Sequence, residues 1–133
     1  MTKVNMLENA PIVAVVDDDL GIREALADLI MSLGYEARAY AAGEEFLRSN
    51  HHERIGLMLV DFVMTGMSGI DLVKCLASRG TCPPFIMMTS HCEARIRDAA
   101  IAEGAVGFLS KPFDTEVLVI SIHDILKGEP KVA

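Results

Sequence analysis

Tryptophan is absent, and two tyrosines and five phenylalanines make up 5% of the 133 residues. A core without large rings must be assembled from Val, Ile, Leu, Met and Ala, and with 51% hydrophobic residues there is enough of them. Basic residues are also few, 12 Lys and Arg against 19 Asp and Glu, and they fall singly. A net charge of -7 and a pI near 5.0 argue against direct nucleic-acid or anionic-membrane partners, which select basic patches. No apolar run approaches the ~20 residues of a membrane span, and residues 1–9 lack a signal peptide's apolar stretch. The expected location is therefore the cytoplasm. Three cysteines, Cys75, Cys82 and Cys92, are an odd number without a C-x-x-C pair, which fits neither a disulfide framework nor a zinc site. Cys92 beside His91 has no second ligand pair, and His51-His52 read as loop residues in the polar stretch Ser49 to Arg54.

Short apolar runs are abundant, and four of them end on residues suited to phosphate or metal. Ile12-Val13-Ala14-Val15-Val16 leads into Asp17-Asp18-Asp19, Leu57-Met58-Leu59-Val60 into Asp61, Phe85-Ile86-Met87-Met88 into Thr89-Ser90, and Val106-Gly107-Phe108-Leu109 into Ser110-Lys111-Pro112. Such runs, separated by helical patterns, read as buried strands of a parallel sheet. Ile22, Leu26, Leu29, Ile30 and Leu33 recur at helical spacing before Gly34; Tyr35 to Tyr40 reads as a further strand and Gly43 to Ser49 as a short helix. A Gly66-Met67-Ser68-Gly69 loop precedes a helix carrying Ile70, Leu72, Val73 and Leu76. Pro83-Pro84 opens the next strand, Glu93 to Glu103 forms the fourth helix, and Asp114 caps a last helix to about Lys127. The expected fold is α/β: one domain over 1–133, its core at about 11–127, with a doubly wound parallel sheet of five βα units. Ligands of such sheets bind beyond the carboxyl ends of the strands, where these polar clusters would meet.

Asp17, Asp18 and Asp61 brought together would oppose one another's ionisation. A hard divalent cation removes that objection, and Mg²⁺ is commonly held by one or two carboxylates plus phosphate oxygens. Lys111 and the Thr89 hydroxyl could take the other oxygens of a phosphoryl group, leaving Asp61 as a carboxylate nucleophile that forms an aspartyl-phosphate. Asp19 reads as a helix cap rather than a ligand.

At these residues the chain resembles the receiver domain of two-component response regulators, from about Pro11 to Lys127. The resemblance rests on Val-Val-Asp17-Asp18, on Asp61 with Met64-Thr65-Gly66-Met67-Ser68-Gly69, on Thr89-Ser90 and on Lys111-Pro112-Phe113. It implies a flavodoxin-like sheet in the order 2-1-3-4-5 with five flanking helices, Asp61 as phosphoacceptor, and Lys111 and Thr89 as the residues assisting transfer. It further implies Asp18 as a direct Mg²⁺ ligand, Asp17 acting largely through water, the Val63 carbonyl as another ligand, and a cis peptide before Pro112. Thr89 and Phe108 match the family's switch pair, with Phe108 expected in the core.

Three positions depart from the family pattern. Thr65 stands where proline is common, so the loop loses a fixed φ and gains an N–H donor. Val63 and His91, two residues after Asp61 and Thr89, occupy positions that border the phosphate, and His91 is a candidate modulator of phosphate lifetime. A flavodoxin-type domain is disfavoured, because three aspartates after the first strand would repel its cofactor phosphate. A haloacid-dehalogenase phosphatase needs a second Asp where this chain has Val63.

The resemblance implies a histidine kinase or phosphotransfer protein as phosphodonor. It also implies an output face on the fourth helix, fifth strand and fifth helix, through which a downstream protein, an output domain or a second copy would bind. The last helix, with Val117, Leu118, Val119, Ile120, Ile122, Ile125 and Leu126, has more apolar surface than its own core requires. The reading is a stand-alone receiver that acts as a phosphoacceptor switch rather than as an enzyme on a separate substrate. The other readings are the receiver part of a longer DNA-binding regulator and a phosphorylation-independent docking module.

Overall fold

Consecutive residues of a strand point to opposite faces, so a run that is apolar at every position needs cover on both sides. The computed structural model, which describes residues 11–49, 54–90 and 93–127, provides that cover. Strand β1 (Ile12–Val16) is followed by α1 (Leu20–Ser32), β2 (Glu36–Tyr40), α2 (Gly43–Arg48), β3 (Ile55–Asp61), α3 (Gly69–Ser78), β4 (Phe85–Thr89), α4 (Ala94–Ala102), β5 (Gly107–Ser110) and α5 (Thr115–Lys127). Every strand pair is parallel, and the order across the sheet is β2-β1-β3-β4-β5. His51, His52, His91, Cys92 and both chain ends lie outside the described residues, and with them the readings made for those positions.

Alternation divides the core in two. Ala14, Val16, Met58, Val60 and Met87 face Phe46 of α2 and Leu72, Val73 and Leu76 of α3. Val13, Val15, Leu57, Leu59 and Met88 face Leu26 and Ile30 of α1 and Leu118 and Ile122 of α5. Phe108 departs from the expectation of a core residue: it is only half-buried and packs against the first cluster from its margin. The cause is its place on an edge strand, beneath a helix whose only fully buried residue is Ala100.

Helix starts follow the polar residues ahead of them. The Asp19 carboxylate accepts from the Ile22 N–H at 3.0 Å, and Asp114 accepts from the Glu116 N–H at 2.8 Å, satisfying donors that a first turn leaves unpaired. Ser68 and Asp71 form a reciprocal capping box at α3.

The start of α3 lies hard against the end of β3. The Gly69 N–H donates to the Phe62 carbonyl at 3.0 Å. A β-carbon at Gly69 would collide with the Asp61 carbonyl oxygen and come within 3.0 Å of Met87 Sδ and Val60 Cγ1. Gly69→Ala is therefore expected to cost about 2–3 kcal/mol through forced displacement of packed backbone, read as a lower urea midpoint.

Candidate functional site

β1 and β3 are neighbours in register, with Val16 opposite Val60, so the residues that follow each strand emerge side by side. Asp17 is fully buried and Asp61 is 6% exposed, whereas Asp18 is exposed. One carboxylate oxygen from each of the three lies within 4.8 Å of the others. Thr89, at the end of β4, the strand next to β3, is buried. It pairs in register with Ser110 of β5, and its carbonyl accepts from the Lys111 N–H at 2.7 Å. The Lys111–Pro112 peptide is cis.

From the edge of the sheet the Lys111 side chain reaches back over β4. Its ammonium donates to Asp17 Oδ2 at 2.6 Å and stands 3.4 Å from Asp61 Oδ1. One cation thus serves two buried carboxylates, and the cluster keeps an excess of negative charge. The Asp61 carboxyl shows the result, raised from 3.8 to about 6. Burial is the main cause, followed by the Asp17 charge; Lys111 pulls the other way, and Asp18 adds a smaller upward push. Burial alone would depress the Lys111 ammonium, but its hydrogen bond to Asp17 and the charges of Asp61 and Asp17 outweigh burial and raise it.

Two further residues hold the acidic segment. Arg23 of α1 donates from Nη1 to the Asp17 carbonyl at 2.8 Å, and the Asp19 N–H donates to Asp17 Oδ1 at 2.9 Å. Thr65 donates to Asp18 Oδ2 through its N–H at 3.0 Å and its hydroxyl at 3.2 Å. Sequence reasoning placed neither Arg23 nor the Thr65 contact in the site. The available signals were an arginine one turn into the helix after the aspartates and the N–H gained at position 65.

The donor set fits a hard divalent cation. All three groups offer oxygen, their reach matches a shared ion, and their mutual repulsion, visible at Asp61, is what such an ion removes. Asp17, Asp18 and Asp61 could hold it. Val63, read as a further ligand through its carbonyl, follows directly after Phe62 and is 55% exposed.

Away from the carboxylates, two surfaces are apolar. A groove lined by Ile22, Ala25, Leu29, Pro112 and Phe113 opens beside Lys111. Ile101, Val106, Val117 and Ile120 are exposed on α4, the β5 approach and α5, so part of the broad stripe on the last helix does face outward. Among the described residues, no helix is long and apolar enough to cross a membrane.

Comparisons with known proteins converge. A family model described as response regulator receiver domain matches residues 13–123. The response regulator protein TodT of Pseudomonas putida is 32% identical over 127 residues, covering 96% of this chain and 56% of TodT. The transcriptional regulatory protein FixJ of Azorhizobium caulinodans is 35% identical over 118 residues, covering 89% of this chain and 56% of FixJ. The chain spans little more than half the length of these relatives. Among solved structures, a response regulator receiver protein from Pseudoalteromonas atlantica superposes with a TM-score of 0.83 at 30% identity, covering 89% of this chain and 98% of that one. The Vibrio cholerae chemotaxis protein CheY4 gives a TM-score of 0.80 at 28% identity, with 88% and 99% covered.

Proposed function

We propose, for a chain that belongs to the response regulator receiver domain family of two-component signalling, that Asp61 is the phosphoacceptor of a switch. The observation that carries this reading is the Lys111 ammonium set between Asp17 and Asp61 at the carboxyl edge of the sheet, beside the cluster of carboxylates. Asp61 is the acceptor rather than Asp17, because Asp17 is fully buried and already engaged by Lys111 and the Asp19 N–H, while Asp61 retains exposure.

An Asp61 carboxylate oxygen attacks the phosphorus of a phosphohistidine. The new O–P bond forms as the N–P bond breaks, and the imidazole leaves with that electron pair and takes up a proton. Charge spreads over the three equatorial oxygens during transfer. Lys111, already within reach of Asp61, moves onto one of them, and the Thr89 hydroxyl takes another. Mg²⁺, when bound by Asp17, Asp18 and Asp61 with the Val63 carbonyl, supplies the positive charge that lets a phosphoryl group approach three carboxylates. Drawing Thr89 toward the phosphate vacates space that the half-buried Phe108 ring can follow into, which alters the face formed by α4, β5 and α5. The domain thereby promotes its own phosphorylation and dephosphorylation and turns over no separate substrate.

The groove beside Lys111 suits an apolar helix face of the donor, a histidine kinase or phosphotransfer protein. Exposed Ile101, Val106, Val117 and Ile120 suit a downstream protein, an output domain or a second copy of the chain. Because matching relatives described as transcriptional regulators are nearly twice as long as the aligned region, the receiver part of a longer regulator stands as a second reading.

Intact mass after incubation with acetyl phosphate and Mg²⁺ tests the acceptor. A gain of one phosphoryl group in wild type, lost with EDTA and absent in Asp61→Asn, is the expected result. Equal gain in Asp61→Asn would remove Asp61 from the role. No gain in wild type from either acetyl phosphate or a phosphohistidine donor would favour the docking module.

A further inference from the structure

We infer that Thr65 is a positioning residue that sets the affinity of the acidic cluster for its divalent cation, an inference that rests on the reading of Asp17, Asp18 and Asp61 as the cation site. Asp18 is the exposed member of the three. An exposed carboxylate samples several rotamers, and ordering it when a cation arrives costs conformational entropy. Thr65 meets that cost in advance. Its N–H and its hydroxyl converge on one oxygen, Asp18 Oδ2, at 3.0 and 3.2 Å, which fixes the plane of the carboxylate and leaves Oδ1 unengaged by Thr65.

The loop that carries Thr65 is anchored independently. The Met67 N–H donates to Glu44 Oε2 at 3.3 Å, Gly66 takes a φ of +83°, and the capping box at Ser68 ties the loop to α3. Thr65 is therefore a fixed point rather than a mobile one. A proline at this position, as the family commonly has, offers neither donor, so this chain has a means of holding Asp18 that a proline-bearing receiver lacks.

Partners that orient a ligand typically change metal affinity 10–100-fold when removed. The test is an Mg²⁺ titration of the whole chain followed by backbone amide and Asp18 side-chain carboxyl NMR shifts, on wild type, Thr65→Ser, Thr65→Val, Thr65→Pro and Asp18→Asn. Thr65→Pro, without either donor, is expected to bind Mg²⁺ about 10-fold or more weakly. Thr65→Val, which keeps the N–H, should fall between, and Thr65→Ser should match wild type within about twofold. Urea midpoints without Mg²⁺ should stay level between wild type and Thr65→Val, which separates positioning from a general structural role and keeps the test valid if the proline variant folds poorly.

Thr65→Val and Thr65→Pro binding as tightly as wild type, or more tightly, would overturn the inference while leaving the cation site intact. Mg²⁺ shifts absent from wild type, or unchanged in Asp18→Asn, would instead overturn the cation site, and the inference with it.

Discussion

Lys111→Met is expected to destabilise the metal-free protein by about 3–5 kcal/mol, the range found when one partner of a buried ion pair is removed. Methionine retains the length and most of the apolar stem, so the loss isolates the charge. The side chains of Asp17 and Lys111 are 0% and 14% exposed, and without the ammonium Asp17 and Asp61 face each other across a poorly solvated gap. Arg95 and Glu93 make a contrasting pair at 3.3 Å, with side chains 86% and 59% exposed, whose loss should cost less than about 1 kcal/mol. Urea unfolding near neutral pH in EDTA measures both. Adding Asp17→Asn to Lys111→Met should restore most of the loss, because the two residues act as one unit. On the proposed reading of the cluster as a cation site, Mg²⁺ should also restore part of it, because it would bind only the folded state. A loss below about 1 kcal/mol for Lys111→Met would show that something other than this lysine neutralises the cluster.

The opposite sign is expected for Asp61→Asn, which should stabilise the metal-free fold by about 2–3 kcal/mol above pH 7. Asp61 is raised from 3.8 to about 6 in the folded protein, so the folded chain holds this proton more tightly than the unfolded chain does. Below pH 3.8 the carboxyl is protonated in both states and carries no net effect. As pH climbs from there to about 6 the unfolded state releases the proton first, and wild type loses stability. Above that window the penalty is complete and constant. Asparagine has no charge to bury, so its advantage should grow across the window and then level off. Urea unfolding in EDTA at several pH values from about 3.5 to 8 reads this directly. On the proposed reading of the cluster as a cation site, saturating Mg²⁺ should narrow the gap, because it would stabilise wild type more than the variant. An advantage that did not vary with pH would mean that charge is not its source.

The central sheet was legible because β1, β3 and β4 are apolar along their length and almost wholly buried. The carboxylate cluster was legible for the same reason, since each acidic residue is placed by the end of such a run. At the edges the signal thinned. Glu36-Ala-Arg-Ala-Tyr40 is largely half-exposed, and its strand was recognisable mainly from the glycine before it. Phe108 was misjudged as core because a sequence pattern records hydrophobicity without telling how many neighbours a strand has. The pairing inside the site was also out of reach. Lys111 and Asp17 are 94 residues apart, and the choice of Asp17 over Asp61 as the closer partner depends on which carboxylate lies deeper. Thr65 and Asp18 meet between two loops, where no periodicity constrains register. Arg23 donates to a main-chain carbonyl, an acceptor every residue carries and none advertises.

The order of strands has a dynamic consequence. The three carboxylates sit at the carboxyl ends of the interior strands β1 and β3, whereas Lys111 follows β5, a four-residue margin with no fully buried position. Local opening begins where burial is least, so fraying of this margin would carry the ammonium away while the anionic half stayed in place. The uncompensated charge would then pull the margin shut. The lysine is in this sense a latch on the weakest hem of the protein, and its holding force is the acidity of the interior. If Asp61 is the phosphoacceptor, as proposed, a phosphoryl group there would offer that latch a second anionic catch.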